Sequence, residues 1–95
     1  MHEHAPFASQ LAVEYIAALA IAAGTLYHVS PLAIGIAYGL LHWIANPVSG
    51  GYLTTANILF VGPLRHRTWE DILGIAAAHF AAGATIYFIH AGGGS

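Results

Sequence analysis

The chain has 95 residues, of which 58% are hydrophobic and 6% are charged, whereas roughly 25% are charged in an ordinary soluble domain. This composition indicates a membrane protein and excludes a water-soluble enzyme. Two arginines, no lysine and a net charge of −2 provide no basic surface for nucleic acid or anionic lipid. The absence of cysteine excludes disulfides and thiolate metal sites. We therefore expect an all-α, multi-pass integral membrane protein with a single membrane domain over residues 1–95.

The first two predicted elements are membrane-spanning helices. Residues 11–27 are apolar and helix-forming, and 17 residues at ~1.5 Å rise can just cross a bilayer core. A second span is predicted over residues 31–45, with Ser30 as its N-cap and Pro31 at the first helical position.

An interruption follows, which we predict to be a re-entrant loop and half-helix over residues 46–63. Pro47 disfavours a helical conformation of the residue before it, and Gly50 and Gly51 permit turns with positive φ. The apolar segment 54–63 then has about half the spanning length. Because non-helical backbone at membrane depth is tolerated only where it is buried in protein or lines a wet cavity, this segment points to a functional site.

The third span is predicted over residues 69–89, opened by a variant capping box of Thr68 and Asp71. Small residues recur at every fourth position of this helix, which favours close helix packing in lipid. They are Gly74, Ala78 and Ala82.

The arginines predict the orientation. Arg65 and Arg67 precede the third span, and a re-entrant loop returns to the side that it left, so they share a side with the N-terminus. The positive-inside rule makes that side cytoplasmic. With so few charged residues, insertion in both orientations is also plausible.

Three side chains within the spans can carry chemistry: Glu14, His42 and His79. An intramembrane carboxylate faces a bundle interior or a wet cavity, unless it extends to the headgroups. An intramembrane histidine can relay protons, bind a metal or a tetrapyrrole, or donate a hydrogen bond to buried backbone. The histidines lack the spacing of a metal site, and the sole aspartate lies beside the membrane face, which argues against a Ser/His/Asp triad. No catalytic residue, metal or cofactor is expected.

The segment 48–56 reads Val-Ser-Gly-Gly-Tyr-Leu-Thr-Thr-Ala and resembles the loop-B signature of the aquaporin (major intrinsic protein) family, I-S-G-G/A-H-x-N-P-A. Glu14-Tyr15 resembles the Glu-Phe of the family's first helix, and Ala78-His79 stands where its third helix has Ala-Gln. The segment 31–43 is similar to the family's second helix.

This resemblance implies half of an aquaporin-like fold, namely one repeat of three transmembrane helices with a re-entrant half-helix. The chain departs from the family at three places: Thr54-Thr55 replaces Asn-Pro, Tyr52 replaces the signature His, and His79 replaces the helix-3 Gln. The arginine of the family's second half has no counterpart.

The function implied is a passive channel for water or small neutral solutes, formed by an antiparallel dimer of two oppositely inserted chains. The resemblance also implies that such dimers assemble further, as the family's channels do. The residues expected to line or narrow the pore are Thr54, Thr55, Asn57, Tyr52 and His42. Glu14 and His79 are expected to brace the loop backbone.

Two alternatives remain open from the sequence. The chain can be a structural or cofactor-holding small subunit of a larger membrane complex, with His42 or His79 ligating a haem or pigment. It can also be a proton-coupled transporter that uses Glu14.

Overall fold

The computed structural model describes residues 6–27 and 30–93, whose regular secondary structure is helical, with no strand among them. These residues form four helices, in the order α1 (Phe7–Leu26), α2 (Pro31–Ser49), α3 (Thr55–Leu64) and α4 (Trp69–Gly93). By length and composition, α1, α2 and α4 are each capable of crossing a membrane. The prediction of three helices of spanning length and apolar composition is confirmed.

The predicted end of the second helix is wrong, because α2 continues from residue 45 through Pro47 to Ser49. Proline lacks the N–H that would bond to the carbonyl four residues earlier, and α2 continues to Ser49 without this one hydrogen bond in its last turn. Gly50 ends α2 by adopting a left-handed φ of 96°, and its N–H donates to the Asn46 carbonyl at 2.9 Å.

The other helix bounds also differ from those predicted. The linking backbone between α2 and α3 is confined to residues 50–54, because α2 is longer than expected. The ten-residue α3 passes through Pro63 to Leu64, again with a proline in the last turn. α1 begins at Phe7 instead of residue 11 and ends one residue early, and α4 extends past residue 89 to Gly93.

Hydroxyl side chains cap three of the helices. Ser30 accepts a hydrogen bond from Ala33 N at 3.2 Å, which confirms its predicted role. Thr54 caps α3 by accepting from Asn57 N at 3.2 Å. Thr68 accepts from Asp71 N at 3.1 Å, whereas the carboxylate that would complete the capping box is paired with Arg67.

α1 lies between α2 and α4, and α3 packs on α4. α1 and α4 run in the same direction, since a Cβ at Gly74 would lie 2.6 Å from Phe7 Cζ, and further along the helices Tyr15 Oη and Thr85 Oγ1 are 2.7 Å apart. Gly74 therefore allows the close approach of α4 to α1, an effect that small residues also have in membrane helix pairs.

Two small clusters form the apolar core. One contains Tyr52, Ile58, Ile72, Ile75 and Ala76, and the other contains Ala17, Ala45 and Leu53. Most large apolar side chains of α2 and α4 point outwards, including Trp43, which is 74% exposed, and Phe80, which is 71% exposed. A lipid environment, or a further protein chain, is needed to cover such a surface.

Candidate functional site

Glu14 is the centre of the site, and its side chain is fully buried between α1, α4 and the linking backbone. Its Oε1 accepts hydrogen bonds from Leu53 N and from His79 Nε2, both at 2.8 Å. Its Oε2 accepts from Ser49 Oγ at 2.5 Å and from Tyr52 N at 3.0 Å. Because all four partners donate, the carboxylate acts as an acceptor on both oxygens and is directed into the protein interior.

The backbone held by Glu14 has an unusual conformation. Gly50, Gly51 and Leu53 all have positive φ, with values of 96°, 66° and 67°. A leucine rarely adopts this region, because its Cβ crowds the following carbonyl oxygen. Two features compensate at Leu53: its N–H bonds to the buried carboxylate, and its side chain packs between Ala17 and Ala45. The two glycines adopt the positive φ that the sequence predicts.

After Ser49 the chain turns back along α2. The ring N–H at His42 Nδ1 donates to the Gly51 carbonyl at 2.7 Å, although His42 lies seven residues before the end of α2. Asn57 Nδ2 donates to Tyr38 Oη at 3.3 Å and to the Tyr52 carbonyl at 2.8 Å, so the first turn of α3 reaches a residue near the middle of α2.

Arg67 brings the end of α3 back to the end of α2. Its guanidinium donates to the Ser49 carbonyl and to Tyr52 Oη, the latter at 3.3 Å. It also forms an ion pair with Asp71 at 3.2 Å, and its side chain is only 9% exposed. In the sequence, Arg67 served only to predict the orientation of the chain in a membrane. The one available signal was its spacing of four residues from Asp71, which is typical of a helical ion pair.

A partly open pocket of about 190 Å³ lies beside the linking backbone. At ~30 Å³ per molecule it has room for about six waters. Residues at three successive turns of α3 contribute to one wall, and α2 and the linking backbone contribute the rest. The lining residues are His42, Gly50, Gly51, Tyr52, Asn57, Val61 and Arg65.

Of the residues predicted to line a pore, His42, Tyr52 and Asn57 border this pocket, whereas Thr54 and Thr55 do not. Thr54 instead caps α3. Tyr52 is 4% exposed, so most of its ring belongs to the core. Arg65 Cζ and Arg67 Cζ lie 5.7 and 5.5 Å from the centre of that ring.

The two candidate cofactor ligands are both engaged within the chain. His79 Nε2 binds Glu14, and its Nδ1 is buried without a hydrogen-bond partner among the residues described. His42 uses Nδ1 on the Gly51 carbonyl and keeps Nε2 for other partners. No group of three metal-ligating side chains occurs within residues 6–27 and 30–93. The pocket is also smaller than the ~300–1,000 Å³ that drug-sized ligands occupy.

No family model, curated protein or solved structure matches this chain. The likeness to aquaporins rests on the motif residues themselves, and membership of that family stays a prediction.

Proposed function

We propose that the chain forms a passive membrane channel for water or small neutral solutes, as an antiparallel dimer of half-aquaporin chains. The observation that carries this proposal is the backbone between α2 and α3, which turns back along α2 and is held there by the buried carboxylate of Glu14. A chain that needed only to join two helices would not require a buried, four-fold hydrogen-bonded carboxylate, which is costly in a membrane.

In this proposal α3 is a re-entrant half-helix. Its ten residues extend about 15 Å, which is half of the ~30 Å hydrocarbon core. Its N-terminal end lies near Tyr38, and its C-terminal end returns with Arg67 to the end of α2. Non-helical backbone is tolerated at membrane depth only where it is buried in protein or lines a wet cavity. The non-helical residues before α3 meet this requirement, because they are buried on one side and line the pocket on the other.

A second copy in the opposite orientation would complete the pore. His42 and Asn46 are exposed on α2, and polar side chains that face hydrocarbon are unfavourable. An inverted partner would cover this face and bring the two α3 N-termini together near the midplane, in the manner of inverted repeats in transport proteins. The scarcity of charged residues favours insertion in both orientations.

Solute would move along the pocket wall by exchanging hydrogen bonds. Asn57 and the free Nε2 of His42 offer polar contacts beside apolar Val61, an arrangement that orients a small solute without binding it tightly. The N-terminal end of α3 carries partial positive charge, so it donates to water oxygen and disfavours cations. Glu14 keeps this end in place, and His79 fixes Glu14.

The test is stopped-flow osmotic shrinkage of liposomes that contain the purified chain. We expect fast water flux from the natural sequence. Val61→Trp should abolish it by filling the pocket, whereas Val61→Ile adds only one methylene group and should retain the flux. Well-folded protein without flux, or flux that survives Val61→Trp, would contradict the channel. The former result would favour a structural subunit of a larger complex.

The antiparallel arrangement has its own test, because the chain contains no cysteine. A single Ser9→Cys variant places a thiol in the exposed first turn of α1. In intact liposomes, a membrane-impermeant thiol reagent should label about half of the copies if both orientations occur equally. Complete labelling, or none, would exclude the inverted dimer.

A further inference from the structure

Arg65 is the one permanently charged side chain among the described residues that line the pocket. It lies at the C-terminal end of α3, two turns beyond Asn57, with Val61 between them on the same face of the helix. Its surroundings differ from those of Arg67, which is almost fully enclosed.

No acidic side chain neutralises Arg65 within the part of the chain that the structure describes. The ion pair there is that of Arg67 with Asp71 alone, and Glu14 is hydrogen-bonded to His79 in the core. The Arg65 guanidinium lies over the face of the Tyr52 ring, and its Cζ is 5.7 Å from the ring centre. An aromatic face attracts a cation and positions it, but it leaves the net positive charge in place.

We infer that Arg65 makes this pocket charge-selective, so that it admits neutral solutes and small anions and repels cations. The inference rests on the proposed function insofar as it names the solutes that the channel would accept. A concave pocket focuses the field of a charge that no acidic side chain pairs with, and the effect is stronger beside the low-dielectric core formed by Tyr52 and its neighbours than on an open surface. Arg65 therefore selects solutes by charge, while Asn57 and His42 supply hydrogen bonds that do not depend on net charge.

The potential in the pocket is measured with a thiol introduced at Val61, since Val→Cys changes little volume and no other thiol is present. Val61→Cys is treated with two methanethiosulfonate reagents of similar size, one ending in a sulfonate and one in a trimethylammonium group. The ratio of the anionic to the cationic reaction rate reports the local potential. Ser9→Cys, in the exposed first turn of α1 and outside the pocket, provides the reference ratio.

We expect the ratio at Val61→Cys to exceed the reference. Adding Arg65→Gln should lower it by roughly tenfold, because a unit charge at this range changes each rate by a few-fold in opposite directions. Arg65→Lys retains the charge and should retain the ratio. Arg65 is exposed, so neither substitution should disturb folding, which far-UV circular dichroism would verify.

Three results would overturn the inference: an unchanged ratio in Arg65→Gln, an equal loss in Arg65→Lys, or a Val61→Cys thiol that reacts with neither reagent. The measurement does not depend on transport. A high, Arg65-dependent ratio without water flux from folded protein would contradict the channel and leave the charge-selective pocket in place. Water flux with an unaltered ratio would contradict the role of Arg65 alone.

Discussion

Replacement of Glu14 by Gln tests whether the carboxylate holds the linking backbone. The amide oxygen can keep two of the four hydrogen bonds, for example those from Leu53 and His79, while its NH₂ group faces the other two donors. The Ser49 hydroxyl can rotate and accept from this NH₂, but the Tyr52 N–H is left buried without an acceptor.

The magnitude follows from these contacts. An orphaned buried donor costs about 1–3 kcal/mol, and the bonds that remain lose the strength that a charged acceptor gives them. We therefore expect Glu14→Gln to reduce the free energy of unfolding by about 3–5 kcal/mol, a large share of the ~5–15 kcal/mol typical of a folded domain.

The assay is unfolding in mixed micelles with increasing SDS, followed by far-UV circular dichroism, together with amide hydrogen exchange at Tyr52 and Leu53. Glu14→Gln should unfold at lower SDS and should lose exchange protection first at these two amides. Glu70→Gln, at an exposed carboxylate, is the matched control and should behave as the natural sequence does. An unchanged midpoint with both amides still protected would refute the assignment of Glu14 as the residue that holds this backbone.

Two further predictions concern the same backbone. Gly51→Ala should destabilise the fold by more than the ~1–2 kcal/mol that an alanine in the left-handed backbone region costs, because the added Cβ would lie 2.7 Å from His42 Nδ1. The control is Gly83→Ala, whose Cβ would meet nothing within 4 Å and which should be neutral or stabilising. Thermal unfolding in detergent distinguishes them, and equal midpoints would contradict the geometry at Gly51. Arg67→Gln should cost about 2–4 kcal/mol through its lost charge-assisted bonds to Ser49 and Asp71, whereas Arg65→Gln should unfold at the same SDS fraction as the natural sequence. Similar behaviour of the two arginine variants would mean that Arg67 does not hold the end of α3.

Local and compositional features were predictable from the sequence. The hydrophobic content and the scarcity of charge predict apolar helices of spanning length, and the chain length limits them to about three. Ser30 and Thr68 could be assigned as caps because a cap is decided by residues within one turn of it. The end of α2 was misjudged because the cost of Pro47 depends on its distance from the helix end, which the sequence pattern alone did not fix.

The contacts of the candidate site, in contrast, join residues that are far apart in the sequence. Glu14 is separated by 35 to 65 residues from its partners Ser49, Tyr52, Leu53 and His79, and no spacing or periodicity pairs a carboxylate with particular backbone amides. The aquaporin resemblance alone implied that Glu14 and His79 brace this backbone. Arg67 likewise reaches Ser49 across 18 residues. Composition and the order of the apolar segments predicted three helices long and apolar enough to span a membrane, and their approximate positions, since those properties arise from transfer to lipid and from neighbouring residues. Only the tertiary structure decided which polar groups meet, because a buried carboxylate is stable wherever enough donors converge, and their convergence depends on how α1, α2 and α4 pack around the linking backbone.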